Sequence, residues 1–113
     1  MSWETFHRRS EVLRRVSDEA NRRRDGRLPV DLPGVRERFA GSTDLLAALQ
    51  LRWYNHLSGA IELELACRTS DLEGAVVAAW CRTADDLSGV RLILDADLAA
   101  GRNLAAARQK EWE

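Results

Sequence analysis

Residues 44–68 decide the fold, and they read DLLAALQLRWYNHLSGAIELELACR. This stretch has no proline and a single glycine, so nothing in it stops a continuous helix. Ser42 or Thr43 stands directly before it, where a hydroxyl accepts a hydrogen bond from an otherwise free amide of the first turn. We therefore predict a capped helix from Asp44 to about Arg68.

The apolar side chains of this helix cover a broad arc. When successive residues are placed 100° apart, the arc spans roughly 200°, which is more than one neighbouring helix covers. The helix is therefore expected at the centre of its own bundle or in an oligomer interface. The arc contains Leu46, Leu49, Trp53, Leu57, Ala60, Ile61 and Cys67, and the opposite side carries Asp44, Arg52, Asn55 and Glu62.

The N-terminal segment has a second amphipathic pattern. Over residues 3–25 apolar side chains recur on one helical face, and Gly26 is the expected end of this helix. In the linker that follows, Pro29 and Pro33 prevent the helix from continuing. A short helix is expected over residues 34–40. The predicted apolar seam of the first helix consists of Trp3, Phe6, Leu13, Val16 and Ala20.

A further helix is expected directly after the long one. Ser70 and Glu73 have the spacing of a capping box, which begins a helix over residues 71–84. Because the connection to the long helix is short, the two helices are predicted to form an antiparallel hairpin. The apolar residues of this helix that lead toward Leu87 are Val76, Val77 and Trp80.

The last helical region is more ambiguous. Residues 90–94 permit a short strand by composition, whereas four apolar residues recur at spacings of three and four and favour a helix that ends at Gly101. Those four residues are Leu87, Val90, Leu94 and Leu98.

Together these segments predict an all-α protein, a compact bundle of about four principal helices with a short extra helix after the Pro-containing linker. We expect a single helical domain over residues 1–113. It divides into a basic N-terminal helix (1–27), a Pro/Gly linker with a short helix (28–41), a helical core (42–101) and a helical tail (102–113).

Composition excludes several classes of protein. The 113 residues carry a formal net charge of −1 and 45% hydrophobic positions, which is typical of one folded domain and too short for a two-lobed enzyme. No apolar run is long enough to span a bilayer, and the N-terminus lacks the apolar core of a secretion signal. We therefore expect a cytoplasmic protein with no membrane segment, in which Cys67 and Cys81 are free, buried thiols.

Glu64 is the main candidate for a buried polar residue. It falls inside the apolar arc, where an unpaired carboxylate is costly, so it needs a partner such as Arg68 or Arg91. His56 lies at the edge of the arc, and we expect it to be partly buried and satisfied by a local hydrogen bond. A ligand-binding or acid–base role requires His56 and Glu64 to converge on one cavity.

No metal or cofactor is predicted. His7 and Glu11 are four residues apart and are expected to form an exposed ion pair. The chain has no Cys-x-x-Cys sequence and no glycine-rich phosphate loop, so neither a cysteine metal site nor a nucleotide site is indicated. The catalytic motifs of Ser- and Cys-dependent enzymes are also missing, which makes an enzyme the less favoured class.

A basic stripe marks the first helix. Arg8, Arg15 and Arg22 recur every seven residues, and residues 1–27 carry a charge of +3 while the remainder of the chain carries −4. Such a stripe fits nucleic-acid phosphates, an acidic protein surface or the acidic part of a second copy. The interspersed acids and a pI near 6.1 favour a solvated face or an intersubunit contact over nucleic acid.

Three function classes follow from these patterns. The leading hypothesis is a small non-catalytic protein-interaction module that self-associates. The reason is that the wide apolar arc and four tryptophans supply more apolar surface than a small monomer buries. The first alternative is a regulator that binds nucleic acid, or the transcription or translation machinery, through the arginine stripe. The second is a ligand-binding or enzymatic helical bundle centred on Glu64.

Overall fold

The computed structural model describes residues 2–67 and 71–101, and all regular structure within them is helical. The predicted all-α bundle of four long helices and a short extra one is therefore confirmed, and the strand considered for residues 90–94 is wrong. The predicted tail, residues 102–113, lies outside the described residues. The helices are α1 (Trp3–Arg23), α2 (Val35–Arg38), α3 (Ser42–Cys67), α4 (Leu72–Asp86) and α5 (Ser88–Ala100).

Helix α1 ends before the expected glycine. Ser2 caps its N-terminus by accepting a hydrogen bond from the Thr5 amide at 3.1 Å. Arg24 then takes a left-handed conformation with φ of 52°, and its amide donates to the Ala20 carbonyl at 2.9 Å. This left-handed residue ends the helix two positions ahead of Gly26, since one residue in that conformation already satisfies a carbonyl of the last turn.

Two other predicted caps are displaced. Helix α3 begins at Ser42 itself, so Ser42 and Thr43 belong to its first turn and do not precede it. At the start of α4 the Asp71 carboxylate accepts from the Gly74 amide at 3.0 Å. Asp71 is therefore the cap, because its side chain lies three residues before that free amide; Ser70 lies outside the described residues.

The core is centred on α3, and of the expected seam of α1 it buries only Val16 and Ala20. Leu45, Leu46, Leu49 and Trp53 of α3 are buried, while Leu13 of α1 is only partly buried. Trp3 and Phe6, which were expected to extend the seam, are exposed. The buried row of α1 consists of Val12, Val16 and Ala20.

The rotation of α1 follows from its close crossing with α5. A Cβ atom placed on Gly89 would lie only 1.8 Å from the Ala20 carbonyl oxygen, so only glycine fits at the crossing. Asn21 also joins α1 to α5 at this crossing, because its Oδ1 accepts hydrogen bonds from the Gly89 and Val90 amides at 2.9 and 3.2 Å. Its Nδ2 donates to the Asp86 carbonyl at 3.2 Å. Asn21 of α1 thus caps α5, which has no side-chain cap of its own.

A second junction ties α1 to the start of α3. The Arg9 guanidinium bonds both oxygens of Asp44, at 3.1 and 3.3 Å, and donates to the Arg38 carbonyl at 2.6 Å. It also lies 4.3 Å from the centre of the Phe39 ring. The Asp44 carboxylate accepts the Ala40 amide at 2.9 Å as well. These bonds fix α2 and the turn into α3 against α1.

We predict that Gly89→Ala lowers the free energy of unfolding by about 3 kcal/mol, because the methyl group forces α1 and α5 apart. Gly59→Ala is the matched control, since a Cβ at that helical position meets nothing within 4 Å. The control should raise stability by roughly 0.5–1 kcal/mol through helix propensity. Urea denaturation of both variants checks this, and equal effects of the two substitutions would contradict the close crossing.

The ion pairs of α1 predict acid sensitivity. Arg22 and Arg23 hold the pKa of Glu19 at about 2, below its ordinary 4.5, and Arg9 lowers the pKa of Asp44. These carboxylates stay charged in the folded protein where the unfolded chain already takes up protons, so their stabilisation is complete above pH 4.5 and is lost as the pH falls toward 2. Thermal unfolding between pH 7 and 2 should show this loss.

The Arg9→Gln variant measures how much of the loss of stability in acid comes from Asp44. It should lower stability at pH 7 by on the order of 1 kcal/mol and flatten the acid loss, because Asp44 then titrates nearer its ordinary value in the folded state. Arg8→Gln removes an exposed pair with Glu4 and serves as the control, with almost no expected effect. An unchanged acid profile for Arg9→Gln would refute the role assigned to the junction.

Candidate functional site

The α3–α4 hairpin forms through small side chains. Ala60 of α3 and Ala75 and Ala79 of α4 are buried, and α4 packs along α3 and more lightly against α5. The Thr83 hydroxyl on the same row of α4 is buried and donates to the Ala79 carbonyl at 2.9 Å. Because alanines fill this contact, the two helices approach closely, and the larger apolar residues of α4 are left on its other sides.

These larger residues form an exposed apolar surface, which we call the α4 outer face. Trp80 is about half exposed, and Val77 is 58% exposed in the middle of the helix. A contiguous apolar surface on a folded protein marks an interaction site more often than a scattered set of residues does. The α4 outer face consists of Leu72, Val76, Val77 and Trp80, and the exposed Leu63 of α3 belongs to the same hairpin.

Trp80 is held in one orientation by the core. Its ring meets the buried Trp53 edge to face, with centroids 5.8 Å apart and an angle of 72° between the rings. Arg91 lies 4.6 Å from the centre of the Trp53 ring and pairs with Asp95 at 2.8 Å. A tryptophan that is anchored on one side and open on the other loses little conformational entropy on binding, which favours its use in an interface.

The two cysteines are not buried, which corrects the prediction. Cys67 is the last residue of α3 and Cys81 faces solvent on α4, next to Trp80 in sequence; both are free and exposed. A helical wheel places Cys67 in the apolar arc of α3, but none of the residues in the last turn of α3 is fully buried. Cys81 lies outside the row of small residues through which α4 contacts α3.

Glu64 has a partner on the neighbouring helix. Its carboxylate is 13% exposed and lies 3.6 Å from the Arg82 guanidinium of α4. Arg91 pairs with Asp95 and does not reach Glu64, and the predicted partner Arg68 lies outside the described residues. The Glu64–Arg82 pair thus links the two helices of the hairpin.

His56 is more exposed than predicted and also contacts α4. Its Nε2 lies 3.0 Å from the Asp86 carboxylate. No hydrogen bond joins His56 to Glu64 within the described residues, since each reaches a different residue of α4. The arrangement is two separate interhelical pairs, and it can hold the hairpin together without forming a joint acid–base pair.

The arginine stripe is largely neutralised within its own helix. Arg8 pairs with Glu4 at 2.7 Å, and Arg22 pairs with Glu19. Arg15 is exposed and makes no ion pair within the described residues. The stripe therefore offers one open guanidinium, which is a small field for phosphate recognition.

The structure contains a groove that the sequence patterns did not indicate. It lies between α1 and α3, encloses about 670 Å³ and has Phe6 and Leu51 exposed at its surface, 59% and 60% respectively. Arg52 lines it, with an enclosed Nε that has no hydrogen-bond partner in the described part of the chain. The i, i+4 spacing of Ala47 and Leu51 was an available signal. We call this feature the α1–α3 groove; its apolar lining is Phe6, Leu13, Ala47, Ala48 and Leu51.

The described residues contain neither a cluster of metal ligands nor a membrane-spanning helix. Within residues 2–67 and 71–101, no three His, Cys, Asp or Glu side chains are grouped closely enough to hold a metal ion. His7 and Glu11 form the expected exposed pair, at 3.0 Å. In the same described ranges, no helix combines the length and apolarity needed to cross a bilayer.

Comparisons of the chain with protein-family models, with curated proteins and with solved structures return no match. Any functional conclusion therefore rests on the surfaces described above.

We predict that both thiols of the folded protein react at once with a disulfide reagent. At low micromolar concentration the native protein should titrate two thiols per chain, and Cys81→Ser should leave one, because Cys67 and Cys81 are exposed on separate helices. The measurement is the absorbance of the released thiolate. Thiols that react only after addition of denaturant would contradict the positions assigned to them.

Proposed function

We propose that this protein is a small, non-catalytic interaction module that self-associates through the α4 outer face. The observation that carries the proposal is the exposure of four large apolar residues on one helix whose small residues are the buried ones. Natural helices of monomers normally show the reverse pattern, with the large apolar side chains packed inside. Covering this face with a second copy removes apolar surface from water, which is the main driving force for association.

The polar features support an interaction role over the two alternatives. Arg8 and Arg22 of the stripe already have carboxylate partners, so their charge is not available to nucleic acid without breaking these pairs. Glu64 and His56 contact α4 separately, which fits structural pairs better than an acid–base site. A cytoplasmic location belongs to the proposal, because exposed free thiols are compatible with a reducing compartment.

The test is the mass of the protein in solution as a function of concentration. Between about 1 and 100 µM, sedimentation equilibrium should show a rising average mass for the unaltered chain. Val77→Asp should weaken association by roughly tenfold or more, because it places a charge within the α4 outer face, beside Val76 and Trp80.

Leu98→Asp is the matched control. Leu98 is 64% exposed, against 58% for Val77, but it lies on α5 outside the proposed surface. This variant should associate like the unaltered protein, and circular dichroism should show that both variants stay folded. A protein that is monomeric up to 100 µM, or equal behaviour of the two variants, would refute the proposal.

A further inference from the structure

We infer that association is heterologous: the α4 outer face of one copy docks into the α1–α3 groove of a second copy. This inference rests on the proposed function and specifies its geometry. Each copy carries one α4 outer face and one α1–α3 groove, so the two features provide complementary halves of a contact. The reasons lie in shape, charge and an unsatisfied polar atom.

The shapes correspond to a helix lying in a groove. Leu72, Val76 and Trp80 recur every four residues along α4 and therefore form one row, as the anchors of a groove-bound helix do. The groove offers an apolar floor between two helices, with Phe6 and Leu51 exposed on its two sides. A helix laid there becomes the third member of a local three-helix packing with α1 and α3.

The charges disfavour pairing of two α4 helices and favour pairing of α4 with the α1–α3 groove. Counted with its cap, α4 has four carboxylates and one arginine, a net charge of −3. Two such helices in contact repel each other. By contrast, the charged side chains that line the α1–α3 groove are Arg9, Arg52 and Asp44, a net charge of +1. Opposite net charges on the two partners steer the encounter and disfavour the symmetric alternative.

Arg52 provides a specific contact within the groove. Its enclosed Nε has no hydrogen-bond partner among residues 2–67 and 71–101, and buried donors of this kind normally have one. On the other side of the contact, Glu73 is exposed next to the α4 outer face and makes no ion pair within the described residues. The Arg52 side chain is half-buried in the groove lining, so its accessible part can donate to a carboxylate that docking brings from α4.

A heterologous contact leaves one unused surface of each kind at the ends of the assembly. Copies therefore add one after another, and the product is a ring or an open chain instead of a closed symmetric dimer. Association should also weaken as salt is added, because opposite charges contribute to it.

The decisive experiment mixes two variants that are each defective at one surface. Val77→Asp blocks the α4 outer face, and Leu51→Asp blocks the α1–α3 groove at an exposed position. Each variant alone should be monomeric. An equimolar mixture should form a 1:1 complex and stop there, since the intact groove of one variant binds the intact α4 of the other and the remaining surfaces are both blocked. Sedimentation equilibrium or native mass spectrometry of the mixture gives the stoichiometry.

The possible outcomes separate the two proposals. If Leu51→Asp alone still associates like the unaltered chain, or if the mixture forms no 1:1 complex while the unaltered chain does associate, the heterologous contact is refuted and self-association stands. If the unaltered chain stays monomeric, the proposed function itself fails. Ala47→Glu, at a second exposed groove position, replaces Leu51→Asp if that variant is not folded.

Arg52→Gln tests the polar contact. It should weaken association by roughly tenfold at low salt and reduce the salt dependence. Arg14→Gln, at an exposed arginine outside the groove lining, removes the same charge and should have a smaller effect. Equal effects of the two substitutions would mean that Arg52 contributes only its charge, and the specific contact assigned to it would be overturned.

Discussion

The close approach of α1 and α5 at Gly89 is the constraint on which the rest of the structure depends. Backbone contact at this crossing requires Ala20 and Asn21 to face α5, and Asn21 then satisfies the free amides at the start of that helix. Once this end of α1 is oriented, helical geometry places Val16 and Val12 in the core. The same geometry turns Phe6 away from the core, where it becomes one side of the α1–α3 groove.

A comparable division of large and small residues determines the surface of the hairpin. Ala60, Ala75 and Ala79 are buried in the hairpin, whereas Val77 stays exposed and Trp80 reaches α3 through one edge contact with Trp53. Interhelical pairs, Glu64 with Arg82 and His56 with Asp86, hold the two helices in register. The hairpin is thus closed by small and charged residues, and its large apolar residues remain available for contact with another molecule.

Local sequence signals predicted the elements of the fold and some of its contacts. The proline-free stretch of α3, the prolines of the linker and the spacing of Val90 and Leu94 gave the all-α class and the helix order. They could not predict the rotation of each helix about its axis. A helical-wheel projection ranks Phe6 and Val12 by hydrophobicity alone and contains no information on how closely a neighbouring helix approaches. The role of Gly89 depends on the backbone of α1, which lies more than sixty residues earlier in the chain. The exposure of Cys67 and Cys81 was missed for the same reason.

The α4 outer face and the α1–α3 groove are the surfaces that we propose become covered when the protein associates. Hydroxyl-radical footprinting at about 1 and 100 µM measures this directly, because it reports the solvent exposure of individual side chains in the unaltered chain. We expect Trp80 and Phe6 both to lose reactivity at the higher concentration while Leu98 keeps its reactivity. Unchanged reactivity of Trp80 and Phe6 in a protein whose mass has risen would contradict this expectation.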